Sequence, residues 1–193
     1  PFSIRKPSEE VRITVTRDDL FDLREGSESA TVETIGHESS RLRSFFRYES
    51  FSNLHEFFES STYRDAEKSF AHMLRLDVSR CFDSIYTHTI EWAIYGRANV
   101  KSNRNAFRGT FPTEFDSRIR AMNEDETHGI LIGPEVSRIF AELILQRIDR
   151  DIHDALREVG LEHGTDYEAY RDVADFLFYY NSPETLEVVQ RTV

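Results

Sequence analysis

The residues best suited to chemistry are aspartates that stand at the ends of apolar segments. Asp77 ends the run Leu74–Asp77, and Asp172 and Asp175 enclose Val173-Ala174 between two aromatic-rich segments. A carboxylate at the end of a buried strand is costly to desolvate unless it is paired or bound to a cation. Mg²⁺ takes a few hard oxygen ligands and keeps waters or phosphate oxygens in its other positions, so carboxylates from two adjacent strands would suit it. Two such ions about 3.5–4 Å apart activate an attacking hydroxyl and stabilise a leaving pyrophosphate.

A second segment places two glycines just before a long apolar pattern. His128-Gly129 and Gly133-Pro134 both fall within residues 126–142. Glycine lets the backbone approach a ligand closely, and Pro134 suits the first turn of a helix. Beyond it, apolar residues keep helical spacing from Val136 to Val159, which predicts a long helix with Gly160 as its stop.

The elements that must position these residues follow an α+β order. Strands are predicted at Val11–Val15, at Leu74–Asp77 as a buried strand, at Tyr167–Arg171 and at Phe176–Tyr180. Helices are predicted within Glu38–Phe70, where the aromatic residues favour a packed core. Further helices are predicted at Thr87–Gly96, at Glu114–Asn123 and near Pro183–Val193. The segment Arg97–Pro112 is predicted to be a loop. The order strand, helix, long helix, hairpin, helix is typical of an α+β domain.

Composition limits the classes of function and partner. The chain has 193 residues, with 35 Asp and Glu against 24 Lys and Arg, and its net charge of −11 argues mildly against nucleic-acid binding. The stretch Arg97–Arg120 is locally basic, so it either tracks a phosphate backbone or forms a solvated surface. The single cysteine, Cys81, excludes an intrachain disulfide and favours a reducing compartment. No apolar run in the sequence is long enough to span a bilayer, so no membrane partner is expected.

The segment Asp77–Ile85 resembles the reverse-transcriptase motif in which an Asp is followed five residues later by Phe or Tyr. This resemblance implies that Asp77 and the Val78 carbonyl are metal ligands. It also implies that Phe82 is a steric gate, whose ring would collide with a ribose 2′-hydroxyl, so that deoxynucleotides are the substrates. The alternative for Asp77 is a cap on a turn between two core strands.

Residues 126–142 look like the loop and helix with which reverse transcriptases hold the incoming nucleotide and the template. His128-Gly129 stands where the family commonly has Gln-Gly, and Gly133-Pro134 where it commonly has Ser-Pro. The resemblance implies that His128, Gly129 and Gly133 bind the nucleotide. It also makes Ser3–Pro7 a remnant of the fingers, with Arg5 as a nucleotide-binding residue.

The third block departs from the family, whose hairpin reads Tyr-x-Asp-Asp. Aligned without gaps, Asp172 replaces the Tyr, Ala174 replaces the first Asp, which normally binds metal, and Asp175 keeps the second. A register slipped by two residues instead makes Asp172 the first Asp and loses the second. We favour the gapless alignment because Phe176–Phe178 then falls on the expected strand. An inactive variant, a naturally altered site and a site rebuilt around Asp172 and Asp175 all remain open.

The amino-acid sequence of these blocks is similar to that of the bacterial antiphage reverse transcriptases, the abortive-infection and defence-associated group. The resemblance implies a polymerase right-hand palm, an antiparallel sheet backed by helices, with partial fingers at residues 1–70, the palm at residues 71–193, and no thumb. It implies a cytoplasmic bacterial DNA polymerase that uses Mg²⁺ or Mn²⁺, deoxynucleoside triphosphates and an RNA or DNA template or product. A homo-oligomer or a partner defence protein is also expected. The alternatives are a catalytically silent palm that serves as scaffold or regulatory partner, and an unrelated acidic α+β binding domain.

Overall fold

The computed structural model describes residues 2–5, 51 and 53–193. Residues 1–4 and 53–193 form one compact unit, and residues 5–52 form a second. The strand predicted at Val11–Val15 and the first part of the helical region predicted at Glu38–Phe70 lie outside the described residues. The proposed boundary between fingers and palm at residues 70 and 71 stays a prediction.

The larger unit contains eight α-helices and three strands in the described part of the chain. In chain order they are α1 (Leu54–Glu59), α2 (Ser61–Ser69), β1 (His72–Asp77), α3 (Cys81–Ser84), α4 (Thr89–Tyr95), α5 (Arg97–Ser102), a 3₁₀ turn (Arg104–Phe107), α6 (Phe111–Met122), α7 (Glu135–Glu158), β2 (Tyr167–Asp172), β3 (Asp175–Tyr180) and α8 (Pro183–Thr192). The α+β class predicted from the sequence is confirmed. No helix in these residues is long and apolar enough to cross a membrane.

The three strands form one antiparallel sheet in the order β1-β3-β2. The segment Phe2–Ile4 lies along β2, where Ser3 pairs in parallel with Arg171. The Arg171 amide donates to the Phe2 carbonyl at 2.7 Å, and the Ile4 amide donates to the Arg171 carbonyl at 2.9 Å. Residues 2–4, which the resemblance gives to the fingers, therefore extend the sheet.

Two apolar clusters build the core, and α7 contributes to both. The first lies on one face of the sheet, where Phe176 and Phe178 of β3 meet Ile152 and Leu156 of α7. The second joins α3, α4 and α6 to the first half of α7 through Phe140. On the other face Tyr170 contacts Phe57 of α1, and Tyr179 contacts Tyr63 of α2. That face is therefore covered along part of its length and is exposed at the end that carries Asp77.

The strand predicted at Leu74–Asp77 exists, but its burial was predicted wrongly. β1 is the first strand in the sheet order, its Leu74 and Leu76 are only half-buried, and Asp77 is exposed. The alternation of leucine with Arg75 and Asp77 buries one face and solvates the other. Desolvation of Asp77 therefore gives no reason for a bound cation, and the case for one must come from the neighbours of Asp77.

The loop predicted at Arg97–Pro112 is also wrong. It contains α5 and the 3₁₀ turn, and α6 begins at Phe111 with Pro112 in its first turn. The predicted end of α4 is confirmed, since Gly96 caps it at φ 81°. Helix α7 begins after Pro134, which stands in the capping position just before the first turn, and ends before Gly160.

Candidate active site

Three aspartates lie side by side at one end of the sheet. In the strand register Asp77 of β1 faces Asp175 of β3, which in turn faces Asp172 of β2. Directly opposed residues in antiparallel strands point to the same face, and this face is the one turned away from α7 and α8. Asp77 therefore lies beside the hairpin, on the strand that pairs with β3, and the carboxylates come from adjacent strands.

The spacing of Asp77 and Asp175 follows from the hydrogen bonds around them. The Val78 amide donates to the Ala174 carbonyl at 3.0 Å, so Val78 and Ala174 form a hydrogen-bonded pair. The next pair along the ladder, Asp77 and Asp175, is then a non-hydrogen-bonded one, in which the Cα atoms lie about 4.5 Å apart and side chains are closest. Two carboxylates this close repel each other unless a cation lies between them.

That cation is supplied by a side chain. Arg75 donates to Asp175 Oδ1 from Nε at 3.1 Å and from Nη2 at 2.8 Å. The side chain of Arg75 is 60% exposed and that of Asp175 is 30% exposed. The hydrogen bonds to Asp175, and then the charge of Asp175, raise the pKa of Arg75, so the guanidinium stays protonated. A metal ion bound through Asp175 Oδ1 would compete with this guanidinium.

The hairpin turn between β2 and β3 has an unusual backbone. Val173 has a φ of 53°, and Ala174, the other loop residue, is not among the residues with positive φ. A positive φ at the first of two loop residues is typical of a type II′ turn, where glycine is usual. A β-branched residue there costs on the order of 1–3 kcal/mol and persists only where its surroundings hold it.

Arg171 provides part of that hold. Its Nη1 donates to the Val173 carbonyl at 3.0 Å, while Nε and Nη2 donate to Asp149 at 2.7 and 2.8 Å. Nη1 and Nη2 also donate to Glu142 at 2.9 and 3.0 Å. The Arg171 and Asp149 side chains are fully buried. The strained turn is thus tied to helix α7 through one guanidinium.

The charges in this network are fixed by their partners. Burial by itself would raise the pKa of Glu142, but hydrogen bonds from Arg171 and the Arg171 charge outweigh it, so the pKa is lowered. Burial by itself would lower the pKa of Arg171, but hydrogen bonds to Asp149 and Glu142 raise it. The pair is therefore ionised at neutral pH. Burial raises the pKa of the Cys81 thiol, so this cysteine is poorly suited to act as a nucleophile.

The remaining predicted metal ligand and the altered position lie beside the aspartates. The Val78 carbonyl accepts the Cys81 amide at 3.1 Å, and Val78 itself is exposed. Ala174 is half-buried and packs against the second core cluster. An alanine offers no ligand, so the described hairpin brings carboxylates to the site from Asp172 and Asp175 only.

The first and second sequence blocks are joined through the backbone. The Ile130 amide donates to the Phe82 carbonyl at 3.0 Å, and the Gly129 amide donates to the Ile85 carbonyl at 2.8 Å. Gly129 has a φ of 86°, and a Cβ there would lie 3.3 Å from the Asp83 carbonyl oxygen. Glycine is needed here because the chain turns and because it passes close to α3, the helix that carries Phe82.

The other predicted nucleotide-binding residues have separate surroundings. His128 is exposed and pairs with Tyr86 in an isolated antiparallel bridge. Gly133 is exposed, has a φ of 116° and has open space where a Cβ would lie. Arg5 is half-buried and belongs to the smaller unit of the chain. Binding of a nucleotide by any of the three stays a prediction.

The geometry allows two of the three aspartates, but not all three, to share one cation. Residues 2–5, 51 and 53–193 contain no group of three His, Cys, Asp or Glu side chains arranged to hold one metal ion. The reason is geometric, since Asp77 and Asp172 lie on strands separated by β3 and hence by about 9–10 Å. Asp175 lies between them, and the Arg75 guanidinium on it marks a place where positive charge is stabilised. The donor set fits a hard cation shared by Asp77 and Asp175.

Sequence reasoning missed Arg75, Glu142 and Asp149. A signal for the two acids exists, because both stand in the apolar stripe of α7 with Leu145 and Ile152 between and after them. An acid that lies in an apolar stripe needs a partner that compensates its charge.

No protein-family model matches the chain, and no curated protein matches it.

Proposed function

We propose that the protein is a DNA polymerase of the reverse-transcriptase type, acting in bacterial phage defence. The observation that carries the proposal is the pairing of Asp77 with Asp175 beside the hairpin, at one end of an antiparallel sheet backed by helices. This agrees with a palm in which carboxylates from adjacent strands hold Mg²⁺ or Mn²⁺. The proposal takes its family from the sequence motifs alone.

The chain's own residues have defined roles in this proposal. Asp77 and Asp175 would hold the cation, and Arg75 would compete with it for Asp175. When bound, the metal supplies activation of a hydroxyl nucleophile and charge neutralisation at the triphosphate. Phe82 limits the sugar to deoxyribose, and the nucleic acid is a template or a product.

A second function is favoured by a specific observation. Ala174 offers no ligand, and Asp175 already has an arginine partner. Both features suit a catalytically silent palm that serves as a scaffold or regulatory partner in a defence complex. In this reading the Arg75–Asp175 pair is a permanent structural contact.

Restoring the missing carboxylate separates the two functions. We expect Ala174→Asp to raise Mg²⁺-dependent deoxynucleotide incorporation by about a hundredfold, because small misplacements of catalytic groups cost about that much. Asp77→Asn should abolish synthesis in either background. Ser79→Asp is the matched control, since it adds the same charge at an exposed residue outside the strands.

Other outcomes decide between the alignments and the functions. If Ala174→Asp gives no gain and Asp172→Ala abolishes synthesis, the slipped register is correct and the site is intact. If neither change matters, and no combination of template, primer and metal gives synthesis, the scaffold function is favoured.

A further inference from the structure

Helix α7 presents two acids to the hairpin, Asp149, whose side chain is fully buried, and Glu142, whose side chain is 20% exposed. Glu142 and Asp149 are separated by about two helical turns, so they lie on the same face of α7. Both carboxylates accept hydrogen bonds from Arg171, whose side chain is fully buried. By contrast, Asp151 of the same helix forms an exposed pair with Arg147 at 2.9 Å.

The guanidinium of Arg171 has no spare donor. A guanidinium carries five N–H groups. Arg171 makes two hydrogen bonds to Asp149, two to Glu142 and one to the Val173 carbonyl. Losing either carboxylate would leave donors unpaired in the core and free the guanidinium to turn away from the hairpin.

The backbone of Arg171 is held as well. Its amide and carbonyl pair with Phe2 and Ile4, and the Phe2 amide donates to Asp149 Oδ2 at 3.1 Å. The Ser3 side chain hydrogen-bonds Glu142 and contributes to lowering its pKa. The N-terminal segment, which pairs with β2, thus contributes to the same network.

Stability gives a weak reason for this arrangement. A buried ion pair is often matched or exceeded in stability by apolar residues of similar volume, because desolvation of both charges is costly. The network instead ends on the Val173 carbonyl, in the strained turn that lies between Asp172 and Asp175. Strained turns of this kind are found where the geometry of a site matters.

We propose that Glu142 and Asp149 are positioning residues of the metal site. Through Arg171 they hold the Val173 carbonyl, and the turn in that position sets Asp175 opposite Asp77. This inference rests on the proposed metal site. It adds two residues on α7 that touch neither metal nor substrate.

The test measures Mn²⁺ directly, so that it does not depend on activity. Glu142→Gln removes one carboxylate charge while keeping its size, and Asp151→Asn makes a comparable change at the exposed pair on the same helix. Electron paramagnetic resonance of free Mn²⁺ gives the affinity, and hydrogen exchange of the peptide containing residues 170–178 gives the mobility of the hairpin. We expect Glu142→Gln to weaken Mn²⁺ binding by about 10–100-fold, the usual effect of losing an outer-shell partner, and to speed exchange in the hairpin. Asp151→Asn should change neither.

Each result has a distinct meaning. If the unaltered protein and Asp77→Asn bind Mn²⁺ equally, the proposed metal site fails, whatever Glu142 does. If Asp77 matters but Glu142→Gln binds Mn²⁺ normally, the positioning role is overturned. Should Glu142→Gln fail to fold, Ser3→Ala removes only the hydroxyl contact with Glu142, and it should weaken Mn²⁺ binding several-fold. An unchanged affinity in Ser3→Ala would then overturn the role.

Discussion

Replacing Gly129 by alanine tests the contact between the glycine segment and the helix that carries Phe82. Gly129 and Gly160 have nearly identical φ values, 86° and 87°. A Cβ at Gly160 meets nothing within 4 Å, whereas one at Gly129 lies 3.3 Å from the Asp83 carbonyl oxygen and 3.6 Å from its Cα. The two substitutions therefore share their backbone strain and differ in crowding.

The expected magnitudes follow from that difference. An alanine in the left-handed region costs about 1–2 kcal/mol at either position. Crowding at Gly129 adds about 1–3 kcal/mol, because the neighbour is backbone rather than the end of a flexible side chain. For a domain of this size each kcal/mol lowers Tm by about 2–4 °C, so Gly129→Ala should melt roughly 2–12 °C below Gly160→Ala.

The assay is thermal and denaturant unfolding of the three proteins, unaltered, Gly129→Ala and Gly160→Ala, followed by circular dichroism. Equal destabilisation by both alanines would refute the reasoning, since it would mean that Asp83 moves away at no cost. A Gly160→Ala protein that is less stable than Gly129→Ala would refute it more strongly.

Two further predictions concern the residues around the aspartates. In the active form, Phe82→Ala should raise ribonucleotide incorporation relative to deoxynucleotide incorporation, because steric overlap in a packed site costs on the order of 1–3 kcal/mol. The assay lets a ribonucleotide compete with the matching deoxynucleotide. An unchanged preference for the deoxynucleotide would show that Phe82 is not the gate. Arg75→Gln should tighten Mn²⁺ binding several-fold, most clearly at low ionic strength, because it removes a competing positive charge from Asp175. Arg80→Gln, which removes the same charge from a residue paired with Asp83, should leave Mn²⁺ affinity unchanged, and equal effects of the two changes would point to net charge alone.

The elements with strong local signals were predictable from the sequence. Aromatic-rich segments on either side of a short acidic turn predicted β2 and β3, and long-range helical spacing predicted α7. Helix α5 was missed because it is short and buries only Val100, so it has no apolar stripe. The exposure of β1 was missed because a short run of leucines does not reveal which strand lies at the edge of a sheet.

The site was predictable in its acids but not in its cations. Asp77 and the hairpin were found because each follows an apolar run, and antiparallel pairing then brings them together. The contact of Arg75 with Asp175 joins segments 100 residues apart in the chain. A contact of this kind depends on the strand register, so no local sequence pattern predicts it. Register also sets which carboxylate each arginine meets.

The position of α7 in both apolar clusters has a consequence for how the protein opens. Its first half supplies Phe140 to one cluster and its second half supplies Leu156 to the other. With 24 residues, the helix is about 36 Å long, and neither cluster can separate from it without exposing half of its buried face. The two clusters therefore belong to one cooperative unit of local unfolding, and motions that loosen the hairpin without unfolding the domain are confined to the loops and to the ends of the sheet.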